Sequence, residues 1–187
     1  ADDGLRVFEN NEFKKINLIT KDSVKFISKI ISCNNNLWLI GRLGGSMELV
    51  NKKTLQTTAI SPRLTVTQLY KDAQDNIWIA TKDKGILYLD AADIAQNKLQ
   101  LSAVPAALQF LSNSEINDIT GDKEGNIYFA TVGKGLIKML PDKRIEIIST
   151  KNGLSSLHVR TAFADKEGNL WIGTNMGIDK LSINKLN

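Results

Sequence analysis

Residues 165–181 read DKEGNLWIGTNMGIDKL. Asp165 is a turn-opening residue, because its side chain can accept a main-chain hydrogen bond two residues on, and Gly168 supplies a positive φ. Leu170, Trp171 and Ile172 then have strand propensity. A second turn at Gly177 leads into another apolar stretch at 178–181. The same string recurs at 122–139, DKEGNIYFATVGKGLIKM, and at 72–89, DAQDNIWIATKDKGILYL. A weaker copy, NNNLWLIGRLGGSMEL, stands at 34–49. Its aromatic anchors, Trp38, Trp78, Tyr128 and Trp171, are separated by 40, 50 and 43 residues. That is the period of four-stranded propeller blades.

Another strand precedes each turn. Val66 and Leu69 stand six and three residues before Asp72, as do Ile116 and Ile119 before Asp122, and Val159 and Ala162 before Asp165. A fixed offset of this kind pins hairpin register to its turn. In the first copy Cys33 takes the place of the aspartate, and the turn reads one residue shorter. Weaker fourth strands are expected at 55–60, 98–104 and 144–149, and one helical turn within 90–97. The expectation is an all-β chain of four-stranded antiparallel propeller blades, about four in number. One segment, 1–187, divides into a partial blade 1–20, blades at 21–62, 63–112 and 113–154, and a partial blade 155–187. Both ends fall mid-blade, at Leu5 to Phe8 and at 178–181. A closed four-bladed ring fits this count, but an open arc of a larger propeller is the expectation, with apolar surface on its terminal faces.

Composition sets the outer limits. The chain has 187 residues, 42% hydrophobic and 24% charged, with a formal net charge of +4. These values exclude a disordered tail, a collagen-like rod and a disulfide scaffold. No run approaches the roughly 18 apolar residues of a membrane-spanning helix, so no membrane contact is expected of this segment. The 19 lysines and 5 arginines are dispersed, unlike the basic stripe of a nucleic-acid binder. The N-terminus carries no basic and apolar leader pattern.

The pattern D-x-x-G-N-[LI]-W-I-[GA]-T-x-x-x-G-[LI], closest at Asp165–Gly177, resembles the two-component regulator propeller repeat. Asn152-Gly153-Leu154-Ser155-Ser156-Leu157-His158-Val159 resembles the lead-in to that repeat's first strand. The resemblance implies a periplasmic sensor domain of a hybrid two-component histidine kinase of the Bacteroidetes type, in an inner-membrane receptor. It further implies a non-catalytic segment that senses oligosaccharides, needs no cofactor, continues into other blades and works in a homodimeric receptor. Any kinase activity would lie in a C-terminal region outside this sequence. Two alternatives stand beside it. One is a propeller enzyme resembling the streptogramin lyases, which use a His and acidic residues around a divalent metal. The other is a protein-interaction scaffold.

The residues favour structure over chemistry at most positions. Trp38, Trp78, Tyr128 and Trp171 repeat at one position, which marks inter-blade core rather than a sugar-stacking platform. Asp72, Asp122 and Asp165 read as turn residues, with no calcium-loop spacing around them. His158 is the single histidine and Cys33 the single cysteine, too few for a zinc site. Ser155 and Ser156 lie near His158, but no nucleophile-elbow motif frames them. The turns 82–85 and 132–135 lack the Gly-Lys-Ser/Thr of a phosphate loop. The loops joining second to third strands share a rim with the inter-blade connections. Arg42, Lys82, Lys84, Lys134, Asn175, Arg63 and Arg160 are therefore the candidate ligand residues, suited to carboxylates or sulfates of an acidic oligosaccharide.

Overall fold

The computed structural model describes residues 5–17, 26–96 and 100–182. Residues 1–4, 18–25 and 183–187, and with them parts of the expected terminal units, lie outside it. So do Asn97, Lys98 and Leu99 of the expected helical turn and fourth strand. Fourteen strands appear among the described residues: β1 (Leu5–Glu9), β2 (Glu12–Ile16), β3 (Ile27–Ser32), β4 (Leu37–Asn51), β5 (Thr57–Lys71), β6 (Ile77–Thr81), β7 (Ile86–Leu89), β8 (Ile116–Gly121), β9 (Ile127–Thr131), β10 (Leu136–Met139), β11 (Ile145–Ile148), β12 (Val159–Ala164), β13 (Asn169–Thr174) and β14 (Gly177–Ser182). They form four antiparallel sheets, ordered β1-β2, β3-β4-β5-β6-β7, β8 to β11 in sequence, and β12-β13-β14, which do not close into a ring.

The middle strands explain why the sequence reads as unbroken apolar runs. Successive side chains alternate between faces, and both faces of β6 and β9 are covered. Ile77 and Ile79 of β6 join Leu39, Met47 and Leu69 in one core. Trp78 and Ala80 point the other way, into a second core with Ile119, Ile127 and Phe129. Tyr128 and Ala130 of β9 meet Val159, Leu170 and Ile172 in a third. The two faces of β6 thus tie it to the β4 end of its own sheet and to the next sheet, and those of β9 tie the second sheet to the third. Trp78 is fully buried and meets Phe129 edge-on at 5.6 Å. Truncating such a residue to alanine costs about 3–5 kcal/mol.

Two expectations are corrected in the first repeat. The turn after β3 is not shorter. Cys33 N–H bonds to the Leu37 carbonyl just as Asp72 N–H bonds to that of Asn76. The strand keeps the register of the other repeats, so alignment on Trp38 reads it one position out and puts every side chain on the wrong face. Ile27 pairs with Arg42 and Lys29 with Gly41, as Val66 pairs with Thr81 and Gln68 with Ala80. Leu39, not Trp38, therefore occupies the anchor position, and Trp38 lies half-buried against β1 and β2.

The second correction concerns the Gly turn of that repeat, which does not form. Elsewhere the turn is closed by a threonine. The Thr81 hydroxyl donates to the Gly85 carbonyl and accepts from Lys84 N–H, and Thr131 does the same with Gly135 and Lys134. Gly85 sits at φ 66, where an added Cβ would lie 1.9 Å from the Leu111 carbonyl oxygen. In this shared register Arg42 stands where Thr81 does, and Ser46 where Gly85 does. Neither the hydroxyl nor the glycine is present at these positions, so the chain continues as the 15-residue β4, irregular against β5 around Gly44.

The helical turn forms as α1 (Ala91–Ala95), capped by Asp90, whose carboxylate accepts from Ala92 N–H at 2.8 Å. The fourth strand expected at 98–104 is reduced, among the described residues, to a single bridge between Ser102 and Tyr88. Pro105 then leads into a 3-10 helix at Ala106–Leu111, whose Leu108 and Leu111 fill the second core. The expected strand at 144–149 forms as β11.

Candidate functional site

The repeated turn is a side-chain network as well as a backbone bend. Asp72 accepts from Asn76 N–H at 2.9 Å, from the Asn76 side-chain amide at 3.0 Å and from the Trp78 indole N–H at 2.8 Å. Asp122 holds Asn126 and the Tyr128 hydroxyl in the same way, the last at 2.7 Å. Asp165 holds Asn169 and the Trp171 indole. The six-residue spacing from aspartate to aromatic, with Trp or Tyr but never Phe, carried this signal in the sequence. The first repeat loses both partners together. Cys33 replaces the aspartate, Leu39 needs no acceptor, and the Asn34 side chain secures the turn by accepting from Asn36 and Leu37 N–H.

Protonation follows from these contacts. Burial works to raise the Asp165 carboxyl, but hydrogen bonds from the Asn169 side chain, the Trp171 indole and the main chain outweigh it and hold it at about 2. Burial, then its hydrogen bond to Asp122, pushes the Tyr128 hydroxyl far above the usual phenol range. Burial raises the Cys33 thiol to about 12, which makes it a poor nucleophile.

The candidate ligand residues stand in different surroundings. Arg42 is buried and forms an ion pair with Glu48, Nη2 to Oε1 3.3 Å, so it is a core residue of β4 and faces no ligand. Lys82, Lys84, Lys134 and Asn175 are exposed on the Gly-turn side. Arg63 is exposed, with its Nε donating to the Gly44 carbonyl. Arg160 is exposed on β12. None of these seven lines a described cavity. The Ser155 hydroxyl lies 2.7 Å from Asp179 Oδ2 and 2.9 Å from Thr174 Oγ1, and Ser156 Oγ accepts from His158 N–H. Ser155 thus fastens the lead-in loop to β13 and β14. Among the described residues no three His, Cys, Asp or Glu gather where a metal could sit.

The larger described cavities open on the opposite side, at the Asp turns. The largest, about 540 Å³, is floored by Leu37 and Leu49 and edged by Asn36, Asn51, Lys53, Gln56 and Thr58. The Asn51 side-chain oxygen accepts from Lys53 and Thr54 N–H at 2.9 Å, which fixes that amide's orientation at the cleft edge. A second, about 390 Å³, lies between the Asp122 and Asp165 turns and is lined by Lys123, Phe163 and Lys166. A third, about 360 Å³, joins Asn34 and Asn35 to Lys71, Asp75 and α1. No run in the sequence marked these clefts, because each is assembled from two separate turns.

The family model of the two component regulator propeller matches residues 61–83 and 153–176. No curated protein matches the chain. Among solved structures it is similar to the extracellular domains of two putative hybrid two component systems from B. thetaiotaomicron. One is 22% identical with a TM-score of 0.74, over 96% of this chain and 24% of that one. The other is 21% identical with a TM-score of 0.73, over 99% and 25%. The chain therefore spans about a quarter of their length. It is also similar to virginiamycin B lyase from Staphylococcus aureus, at 12% identity and a TM-score of 0.63, over 98% of this chain and 64% of the lyase. Likeness at these identities establishes a propeller fold. No helix among the described residues is long and apolar enough to cross a membrane.

Proposed function

We propose that this chain is a non-catalytic, ligand-sensing part of the periplasmic sensor region of a hybrid two-component histidine kinase, responding to oligosaccharides. The observation that carries the reading is the repeat itself, joined to a fold shared with extracellular domains of putative hybrid two component systems. The ligand seat is the cleft edged by Asn36, Asn51 and Gln56. Carboxamides supply donors and acceptors on rigid turns over an apolar floor, a combination that suits the hydroxyl groups and aliphatic faces of an uncharged sugar. A signal then requires that the sugar bind two receptor arrangements unequally. The lyase reading has the fold in its favour, but the Ser155 hydroxyl is taken up by Asp179, and no three described His, Cys, Asp or Glu gather where a metal could sit.

Titrating the labelled chain with a panel of neutral and acidic oligosaccharides, read by main-chain and side-chain amide NMR signals, tests this. Saturable shifts at Asn36, Asn51 and Gln56 with neutral sugars, lost in Asn36→Ala and Gln56→Ala, are expected. Shifts confined to Lys82, Lys84 and Lys134 with acidic sugars would return the seat to the Gly-turn side. No shift with any sugar rejects the ligand class.

A further inference from the structure

The turn after β3 is a ridge with a cleft on either side. Asn36 and Leu37 line the first cleft, of about 540 Å³. Cys33, Asn34 and Asn35 line the other, of about 360 Å³. Both volumes fall within the roughly 300–1,000 Å³ of small-ligand sites. A lysine ties the ridge down from each side. Lys52 Nζ donates to the Asn34 carbonyl at 2.7 Å, and Lys71 Nζ donates to the Cys33 carbonyl at 3.3 Å. The Asn34 side chain is committed to the turn, accepting from Asn36 and Leu37 N–H. The carboxamides of Asn35 and Asn36 are exposed and have no hydrogen-bond partner among the described residues. A backbone fixed in advance thus presents one amide at each cleft, which lowers the ordering cost of binding.

The second cleft adds a charged pair. Lys71 and Asp75 meet on its wall, Nζ to Oδ1 2.7 Å. An ammonium has three N–H groups, and Cys33 and Asp75 take two of them. The third N–H and Asp75 Oδ2 remain, a donor beside an acceptor. Adjacent hydroxyls of a pyranose can accept from the one and donate to the other. Ala91, Ile94 and Ala95 of α1 supply apolar lining for the C–H face of the ring. The pair has no net charge, which suits a neutral sugar.

We infer that the two clefts are subsites of one seat, whose ligand is an oligosaccharide long enough to straddle the ridge at 34–36. The Lys71–Asp75 pair reads a vicinal diol at the far end. The inference rests on the sugar-sensing reading and adds to it a second subsite and a minimum ligand length. Disaccharides and hexasaccharides of the gluco, manno and xylo series, titrated against the labelled chain by main-chain and side-chain amide NMR, test it. A hexasaccharide should shift Asn35 and Ile94 together with Asn36 and Gln56. It should bind about 10-fold or more tightly than its disaccharide, because joining two sites raises the effective concentration at the second. Asp75→Gly and Ala95→Trp should each bring the hexasaccharide back to the affinity of the disaccharide. Glycine suits position 75, where φ is 65, and Ala95 is exposed, so an indole there obstructs the cleft without entering the core. Hexasaccharide shifts confined to Asn36, Asn51 and Gln56, at the affinity of the disaccharide, overturn the second subsite and leave the first cleft as the seat. Separate saturation of the two clefts with no gain from length also overturns it. No shift with any sugar of either length rejects the sugar reading, and this seat with it.

Discussion

An aspartate that grips an aromatic six residues away makes turn and core a single unit. Removing it leaves an indole or phenol donor and an asparagine amide without their acceptor, at about 1–3 kcal/mol for each buried group. Asp72→Ala should therefore lower the urea midpoint well below that of Asp165→Ala, because Trp78 is buried and Trp171 is not. Equal losses would mean that the turn, and not the aromatic, dominates. Acid should reveal the same bond. The Asp165 carboxyl is depressed from 3.8 to about 2, so its contribution is present above 3.8 and fades as pH falls through about 2. Asp165→Asn should flatten the pH dependence of stability in that window. An unchanged slope would place the acid sensitivity elsewhere.

The strand β4 shows how little separates a blade from a variant of one. In the shared register Leu39, next to Trp38, takes the anchor, and Arg42 and Ser46 stand where a turn needs Thr and Gly. The three later repeats were legible because every local signal agreed: turn aspartate, aromatic, threonine and glycine. The first was not, because its Trp invited alignment on a residue that the pairing does not use. The cost of this difference is a buried Arg42–Glu48 pair. Glu48→Ala removes the carboxylate paired with the buried Arg42 and should destabilise the chain by about 3–5 kcal/mol, measured by urea unfolding. A loss below about 1 kcal/mol would indicate that water reaches Arg42.

Across the whole molecule, the four sheets form an arc with two unlike faces at its ends. One carries Phe163, Trp171, Met176 and Ile178; the other carries Phe8 and Phe13, both more than half exposed. Repeat spacing made the stacking order legible, since it depends on periodicity alone. The clefts were illegible, since each needs two turns to meet in space. Six basic residues looked alike on paper; burial separates Arg42 from the others. Dispersed charge carries no address until neighbours are known.

The covering of each anchor by the sheet that follows it has a kinetic corollary. Where a unit is protected only by adjacent units, opening spreads inward from the least covered end. Amides of β13 should exchange with deuterium faster than those of β9, although the two strands share one motif. Uniform exchange along the arc would mean that all four sheets open together. Identical words in this sequence thus set different lifetimes, according to their distance from an uncovered face.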